Sequence, residues 1–343
     1  MSMEFIQQTL DIDGMKTIML TDRQTDRQTV TLSDKIEESK RILRLSADMS
    51  KTYYGKPVIL TYSGGKDSDV MLHLAESCLK EDEFEVLNSH TSVDAPETVN
   101  HIREVFKRLN EKGIKAEINY PKDENGNHET MWTLIPKKKI PPTRLMRYCC
   151  QVLKETSTPN RLACLGVRAD ESSKRQGRDV FGIMGGSYSK ATFFSLDHTE
   201  EVHREAQELQ DPVWDCTLIK IMREHGSCVV NPIYYWSDVD VWDYIRQEKI
   251  QTNPLYERGY KRVGCIGCPM ATYKQVNKEF ADYPTYKQAY INAFQKMIDG
   301  YDDEKKRKFQ SWKTGQDVFD WWIEKWKHEV KGQYNLFDED RYG

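Results

Sequence analysis

Two groups of residues in this chain are of types and spacings that do chemistry. The first lies in residues 58–69, VILTYSGGKDSD, where an apolar run ends in Ser63, Gly64, Gly65 and Lys66 and passes into Asp67 and Ser68. Glycine adopts backbone angles that other residues avoid, and without a side chain it lets N–H groups approach an anion. A helix starting at Asp67 presents free N–H groups and the positive end of its dipole. Lys66 adds a full charge, and Ser63 and Ser68 add hydroxyl donors. This stretch lacks the Gly-x-x-x-x-Gly-Lys-Ser/Thr spacing of a Walker loop. Two glycines and a lysine alone also suit an ordinary strand-to-helix turn.

The second group is made of thiols. Cys149 and Cys150 are adjacent in RYCCQVLK, and Cys265 and Cys268 form a Cys-x-x-Cys pair in RVGCIGCPM. Thiolates suit zinc or an iron–sulfur cluster. An adjacent pair is awkward for structural zinc, whose ligands are usually spaced by two or more residues. Pro269 follows the last cysteine, as in ferredoxin-type runs. Cys78 and Cys164 read as small buried hydrophobes on a helix and a strand. The spacing of Cys216 and Cys228 assigns them no role.

Elements must hold these groups in place. Val58 to Tyr62 reads as the opening strand, followed by a helix from about Asp67 to Lys80. FEVLNSH and KAEINY read as further strands, RLACLGVRADES contains a fourth, and SCVVNPIYY gives a fifth. Between the second and third, a helix is expected with Pro96 near its start and Gly113 at its end. Residues 33–51 carry a helical stripe, with Ser33 as its expected N-cap. Ser237 and Asp240 form a capping box for a helix carrying Trp242. Strands alternating with helices predict an α/β fold: a mostly parallel sheet flanked by helices, with a helical C-terminal extension. Ligands of such sheets bind beyond the carboxyl ends of the strands, where SGGKDS lies. The expected organisation is an N-terminal extension and helix over 1–55, a main domain over 56–285 with an insertion at 176–230, and a helical region and tail over 286–343. Trp312, Trp321, Trp322 and Trp326 crowd the expected last helix, where they read as packing residues.

Composition bounds the rest. The 343 residues are 38% hydrophobic and 30% charged, with a net charge of −4. That balance excludes wholesale electrostatic coating of nucleic acid. It leaves room for a local anion-binding wall, since residues 137–178 hold eleven Lys and Arg against three acids. No apolar run reaches the length of a membrane span. The opening MSMEFIQQTLDIDG shows neither a basic head nor an apolar stretch, so a cytoplasmic location is expected.

The complete SGGKDS after an apolar strand resembles the PP-loop of ATP pyrophosphatases and adenine-nucleotide α-hydrolases. SGGKDS, VDAPET, RYCC, GVRADESSKR, NPIYYWSDVDVWDYI and NPLYERGYKRVGCIGCP stand in the order found in the phosphoadenylyl-sulfate reductase family. The resemblance runs from about residue 56 to 285 and implies the adenine nucleotide α-hydrolase-like fold. It implies nucleotide binding by Ser63, Gly64, Gly65, Lys66, Asp67 and Ser68, with Asp94 and Glu97 on a second, acidic loop. Arg168 and Arg175 match the family's arginine loop, and with Lys66 and Asp67 they are the expected catalytic residues. Arginine suits this role because it stays charged and binds phosphate or sulfate bidentately. Cys149, Cys150, Cys265 and Cys268 resemble the [4Fe–4S] ligands of adenylyl-sulfate reductases.

One departure is informative. The family's reductases attack sulfur with a cysteine in a C-terminal Glu-Cys-Gly-Leu-His segment, and here no cysteine follows Cys268. A reductase-like body with four cysteines and a long insertion looks like the DndC-type proteins of DNA phosphorothioation. That resemblance implies an ATP pyrophosphatase and sulfurtransferase using ATP, Mg²⁺ and a [4Fe–4S] cluster. It implies DNA, a cysteine desulfurase as sulfur donor and other DNA-modification subunits as partners. An assimilatory reductase with a relocated cysteine (Cys216 or Cys228) and a nucleotide-sensing component without turnover are the alternatives. Finally, Gln333 to Phe337 (QYNLF) resembles the short peptide that docks sliding clamps; the alternative is that Leu336 and Phe337 tuck onto the body.

Overall fold

The computed structural model of the chain describes residues 30–154, 157–171, 175, 180–183 and 228–327. Its first helix, α1 (Leu32–Tyr54), is capped by Thr31 rather than Ser33. The Thr31 hydroxyl takes the Asp34 N–H while the Asp34 carboxylate takes the Thr31 N–H. The cap lies two positions before the expected Ser33, because Thr31 has an acid at the third helical position and Ser33 does not.

The chain then alternates: β1 (Val58–Thr61), α2 (Lys66–Cys78), β2 (Phe84–Ser89), α3 (Pro96–Glu111), β3 (Ala116–Asn119). Two short helices follow, α4 (Met131–Lys138) and α5 (Tyr148–Leu153), then β4 (Leu162–Cys164). After β5 (Phe181–Ile183) and β6 (Cys228–Val230) come α6 (Asp238–Glu248), α7 (Tyr273–Asp282), α8 (Pro284–Asp299), α9 (Asp303–Lys308) and α10 (Gly315–Lys327). The sheet order is β3-β2-β1-β4-β6-β5. Every pairing is parallel except β5 with β6. The expected mostly parallel α/β sheet is therefore observed, with a helical C-terminal region. The antiparallel β5 was not anticipated from sequence. It is three residues long and contains Gly182, which leaves no alternation to read.

Among the described residues, two large apolar cores divide the work, and a small third cluster of Leu134, Tyr148 and Leu153 lies under α5. The first lies under the sheet and is built from Val58, Leu60, Phe84 and Val86 against α1, α2, α3 and α6. The second lies beyond the sheet and is built from α7, α8 and α10 with the loops around Val93 and Ile266. Cys149, Cys265 and Cys268 pack against this second core. Trp322 is buried in it, as the packing reading of the tryptophans expected, while Trp312 lies just ahead of α10 and not on it. No helix among the described residues is long and apolar enough to cross a membrane.

Candidate functional site: a phosphate loop beside four cysteines

The SGGKDS turn, the expected phosphate loop, lies between β1 and α2. β1 ends at Thr61, and α2 starts at Lys66, one residue before the expected Asp67. Gly64 has φ +73°, and a Cβ there would lie 2.9 Å from Ile102 Cγ1. Both the turn and the close approach of α3 require glycine at this position. Gly65 precedes the helix in extended backbone. Ser68 turns back on the loop: its hydroxyl donates to Gly65 O at 2.7 Å and accepts from Gly65 N–H at 3.2 Å. Ser63 Oγ stands 3.3 Å from Ser68 Oγ. The first-turn N–H groups of α2 face this loop without helical acceptors, as at any helix start.

Charged groups gather at the same place. Arg168 is 3% exposed. Its Nε donates to Asp67 Oδ1 at 2.6 Å, and its Nη2 donates to Asp238 Oδ1 at 3.0 Å. Lys66 Nζ lies 2.8 Å from the same Asp238 oxygen and 3.3 Å from Asp67. Burial raises the Asp238 pKa, but Lys66 and Arg168 outweigh it and hold the carboxyl below its usual value. Arg175 is not part of this cluster. It pairs with Glu171, whose carboxylate accepts the Arg168 backbone N–H at 3.0 Å. Asp238 follows the Ser237 N-cap, and nothing in its local sequence signals its partners on α2 and the loop after β4. The Ser237–Asp240 capping box is as expected.

Behind the loop stands a buried polar triad. Tyr62 Oη donates to Asp69 Oδ1 at 2.5 Å, and His101 Nε2 lies 2.9 Å from Tyr62 Oη and 3.2 Å from Asp69 Oδ1. Asp69 Oδ2 has no partner among the described residues. Burial pushes the Asp69 pKa up, against the pull of its bonds to His101 and Tyr62.

The segment 253–268 connects the loop to the cysteines. Asn253 is fully buried, and its Nδ2 donates to Gly64 O at 3.0 Å and Thr98 Oγ1 at 3.1 Å. Tyr256 Oη accepts the Lys66 N–H at 2.9 Å. Arg258 pairs with Glu97, which also accepts from Tyr283 Oη at 2.8 Å. Glu97 is thus engaged with the C-terminal helices in this geometry. Asp94 lies nearer the thiols: it forms an antiparallel bridge with Cys265, and Cys265 Sγ is 3.8 Å from Asp94 Oδ1.

The two cysteine-bearing loops meet against the second core. Cys149 is raised in pKa by its hydrogen bond with Cys150, by burial and by the charges of Cys150, Cys265 and Cys268. Burial pushes Cys265 up to about 12. Lys154, exposed by surface area, nonetheless carries its charge within reach of Cys265, Cys150 and Cys268. Arg144 ties the loops together, its Nε donating to Pro269 O at 3.0 Å. Among the described residues, no three His, Cys, Asp or Glu side chains close on a single metal ion. Zinc needs its ligands about 2.3 Å from one point, whereas a cluster spreads its thiolates over several irons. The donor set, two thiols on α5 and two on the Cys265–Cys268 turn, is of the kind that zinc and iron–sulfur clusters both use. Cys164 and Cys228 are buried, Cys78 is half-buried, and Cys216 lies outside the described residues. Gln333 to Phe337 and most of the 176–230 insertion also lie outside them.

A family model, the phosphoadenosine phosphosulfate reductase domain, matches residues 57–271. The chain belongs to this family. It is 26% identical over 275 residues to an uncharacterized protein of Methanocaldococcus jannaschii, covering 80% of this chain and 46% of the relative. An adenosine 5'-phosphosulfate reductase of Anoxybacillus flavithermus is 20% identical over 229 residues, covering 65% of this chain and 77% of that protein. A sulfate adenylyltransferase subunit 2 of Hyphomonas neptunium is 29% identical over 238 residues, covering 66% and 62%. The chain spans about half the length of the archaeal relatives it matches. This phosphosulfate reductase family member thus has relatives named as sulfate adenylyltransferase subunits and relatives named as adenosine 5'-phosphosulfate reductases.

Proposed function

We propose that this chain is an iron–sulfur ATP pyrophosphatase that activates a phosphate-bearing acceptor, the DNA backbone, for sulfur insertion. The observation that carries the reading is that one segment, residues 253–268, is bonded to the phosphate loop and itself carries two of the four thiols. Nucleotide phosphates and sulfur ligands then share one end of the sheet.

In this reading an acceptor phosphate oxygen attacks the α-phosphorus of ATP, and the bond to the β-phosphate oxygen breaks, releasing pyrophosphate. The loop N–H groups, Lys66 and Arg168 neutralise the charge that develops on the departing pyrophosphate. Asp67 and Asp238 keep the two cations extended toward the loop. A persulfide from a cysteine desulfurase attacks the adenylated phosphorus and expels AMP. Two thiols of an external reductant then cleave the S–S bond, becoming a disulfide and leaving phosphorothioate. Cys149, Cys150, Cys265 and Cys268 would hold the [4Fe–4S] cluster, which supplies iron for binding sulfur or electrons. A cation held there would favour the thiolate at Cys265, against the burial that raises its pKa. For Mg²⁺ no residue is assigned, since among the described residues no group of carboxylates converges on one ion.

The likeness to an adenosine 5'-phosphosulfate reductase supports a second reading, reduction of a sulfonucleotide. One experiment separates the two. Anaerobically purified protein is given ATP with duplex DNA or tRNA, and separately adenylyl sulfate with thioredoxin. AMP with pyrophosphate is expected from the first mixture, falling at least about 100-fold in Lys66→Ala, the scale for loss of a charged transition-state contact. Sulfite from the second mixture, without AMP from the first, overturns the proposal. Label from a desulfurase appearing in tRNA instead of DNA would reassign the acceptor.

A further inference from the structure

The Lys66 N–H is the first helical donor of α2, the position where a helix N-terminus holds phosphate oxygens. Here it is taken by the hydroxyl of Tyr256, 190 positions away in sequence, at 2.9 Å. The same hydroxyl lies 3.5 Å from where a Gly65 Cβ would stand, so it sits in the mouth of the loop. A phenol oxygen is a neutral acceptor. A phosphate oxygen at the same N–H makes a charge-assisted bond roughly twice as strong, and the helix dipole favours it further.

The segment carrying Tyr256 is built to feel such an exchange. Upstream it is pinned, because Asn253 is bonded to Gly64 O and Thr98. Downstream it returns to the loop: Val263 O lies 3.9 Å from the Gly65 Cβ position, two residues before Cys265. Ile266 N–H then donates to Val93 O at 2.8 Å, beside the Asp94–Cys265 bridge. Tyr256 also stands edge-on to Trp242 at 5.2 Å, on the helix whose Asp238 holds Lys66.

We propose that Tyr256 is a stand-in for a phosphate oxygen at Lys66, displaced when pyrophosphate or a nucleotide's phosphates bind, and that residues 256–265 carry this displacement to the cysteine loop. The site thereby registers nucleotide before sulfur chemistry begins. The inference rests on the phosphate-loop reading above and not on the identity of the acceptor.

The test uses the full chain with inorganic pyrophosphate as probe. Binding is measured by calorimetry on wild type and Tyr256→Phe, and amide hydrogen exchange is followed in peptides spanning 253–268. Wild type is expected to show faster exchange in this segment on pyrophosphate binding. Tyr256→Phe is expected to bind about threefold to tenfold more tightly, the worth of one net hydrogen bond, with fast exchange already present before ligand is added. Equal or weaker binding by Tyr256→Phe, or an unchanged segment in wild type, overturns the inference while the phosphate site stands. No binding by wild type removes the phosphate site itself, and the inference falls with it.

Discussion

At the scale of single residues, Gly64 and Gly65 look interchangeable in the string SGGKDS, and the geometry separates them. A side chain at Gly64 meets Ile102 at 2.9 Å and needs a positive φ, whereas one at Gly65 meets nothing closer than 3.5 Å. Gly64→Ala should cost about 2–4 kcal/mol, from left-handed strain and overpacking together, and Gly65→Ala much less. Urea denaturation of the two variants checks the contrast, and equal losses would contradict it. Asp69 gives a pH signature. Its folded pKa is raised by burial, so the folded state holds the proton more tightly than the unfolded state. Its contribution is fully present below the unfolded value and is lost as pH rises through the folded one. Asp69→Asn cannot ionise and should flatten stability over that interval in urea titrations. It should also lower overall stability by about 1–3 kcal/mol, because a new buried donor replaces an acceptor. Lys66 stood out in the strand–SGGK–helix pattern, and Arg168 through the resemblance of GVRADESSKR to the family's arginine loop. Asp238, Asn253 and Tyr256 did not, since each acts on a loop more than a hundred residues away and no spacing encodes that meeting.

At the scale of elements, the parallel strands were legible because each is an apolar run ended by turn residues. Most of their ends moved by only a residue or two, but the SCVVNPIYY strand stops at Val230. The short α5 was not legible, because six residues carry less than two turns of pattern. Yet α5 matters, since it presents Cys149 and Cys150 while Arg144 just before it holds the opposite loop. The Cys-x-x-Cys turn is fixed from the other side by α7. Glu279 accepts the Gly267 N–H at 2.8 Å, and Gly267 has φ +68° with Phe280 Cζ 2.8 Å from its Cβ position. A Gly267→Ala variant must shift Phe280, Tyr290 or Trp322, which surround it. Its expected outcome is loss of iron from anaerobically isolated protein that still folds, read by iron assay and circular dichroism. Iron content equal to wild type would show that this turn does not govern the cysteine site.

At the scale of the whole molecule, the two cores assign the two chemistries to separate supports. The sheet core carries the phosphate loop, and the helical core carries the thiols. Trp322 tests that division because it belongs wholly to the second. It is 2% exposed, its ring lies 4.9 Å from Tyr290 and 5.3 Å from Phe294, and its Nε1 donates to Pro142 O at 2.6 Å. Pro142 belongs to the stretch that leads into Cys149, so this one indole both fills the core and anchors a cysteine loop. Trp322→Ala should destabilise the protein by about 3–5 kcal/mol, the cost of truncating a large buried aromatic. If the cores unfold as separate units, the loss appears in one of two transitions. Inorganic pyrophosphate, bound by the sheet core, should then raise only the other. A single transition that pyrophosphate raises in full, in both wild type and Trp322→Ala, would mean that the cores fold as one body. The thiols and the phosphate loop would then be coupled through the interior as well as through residues 253–268.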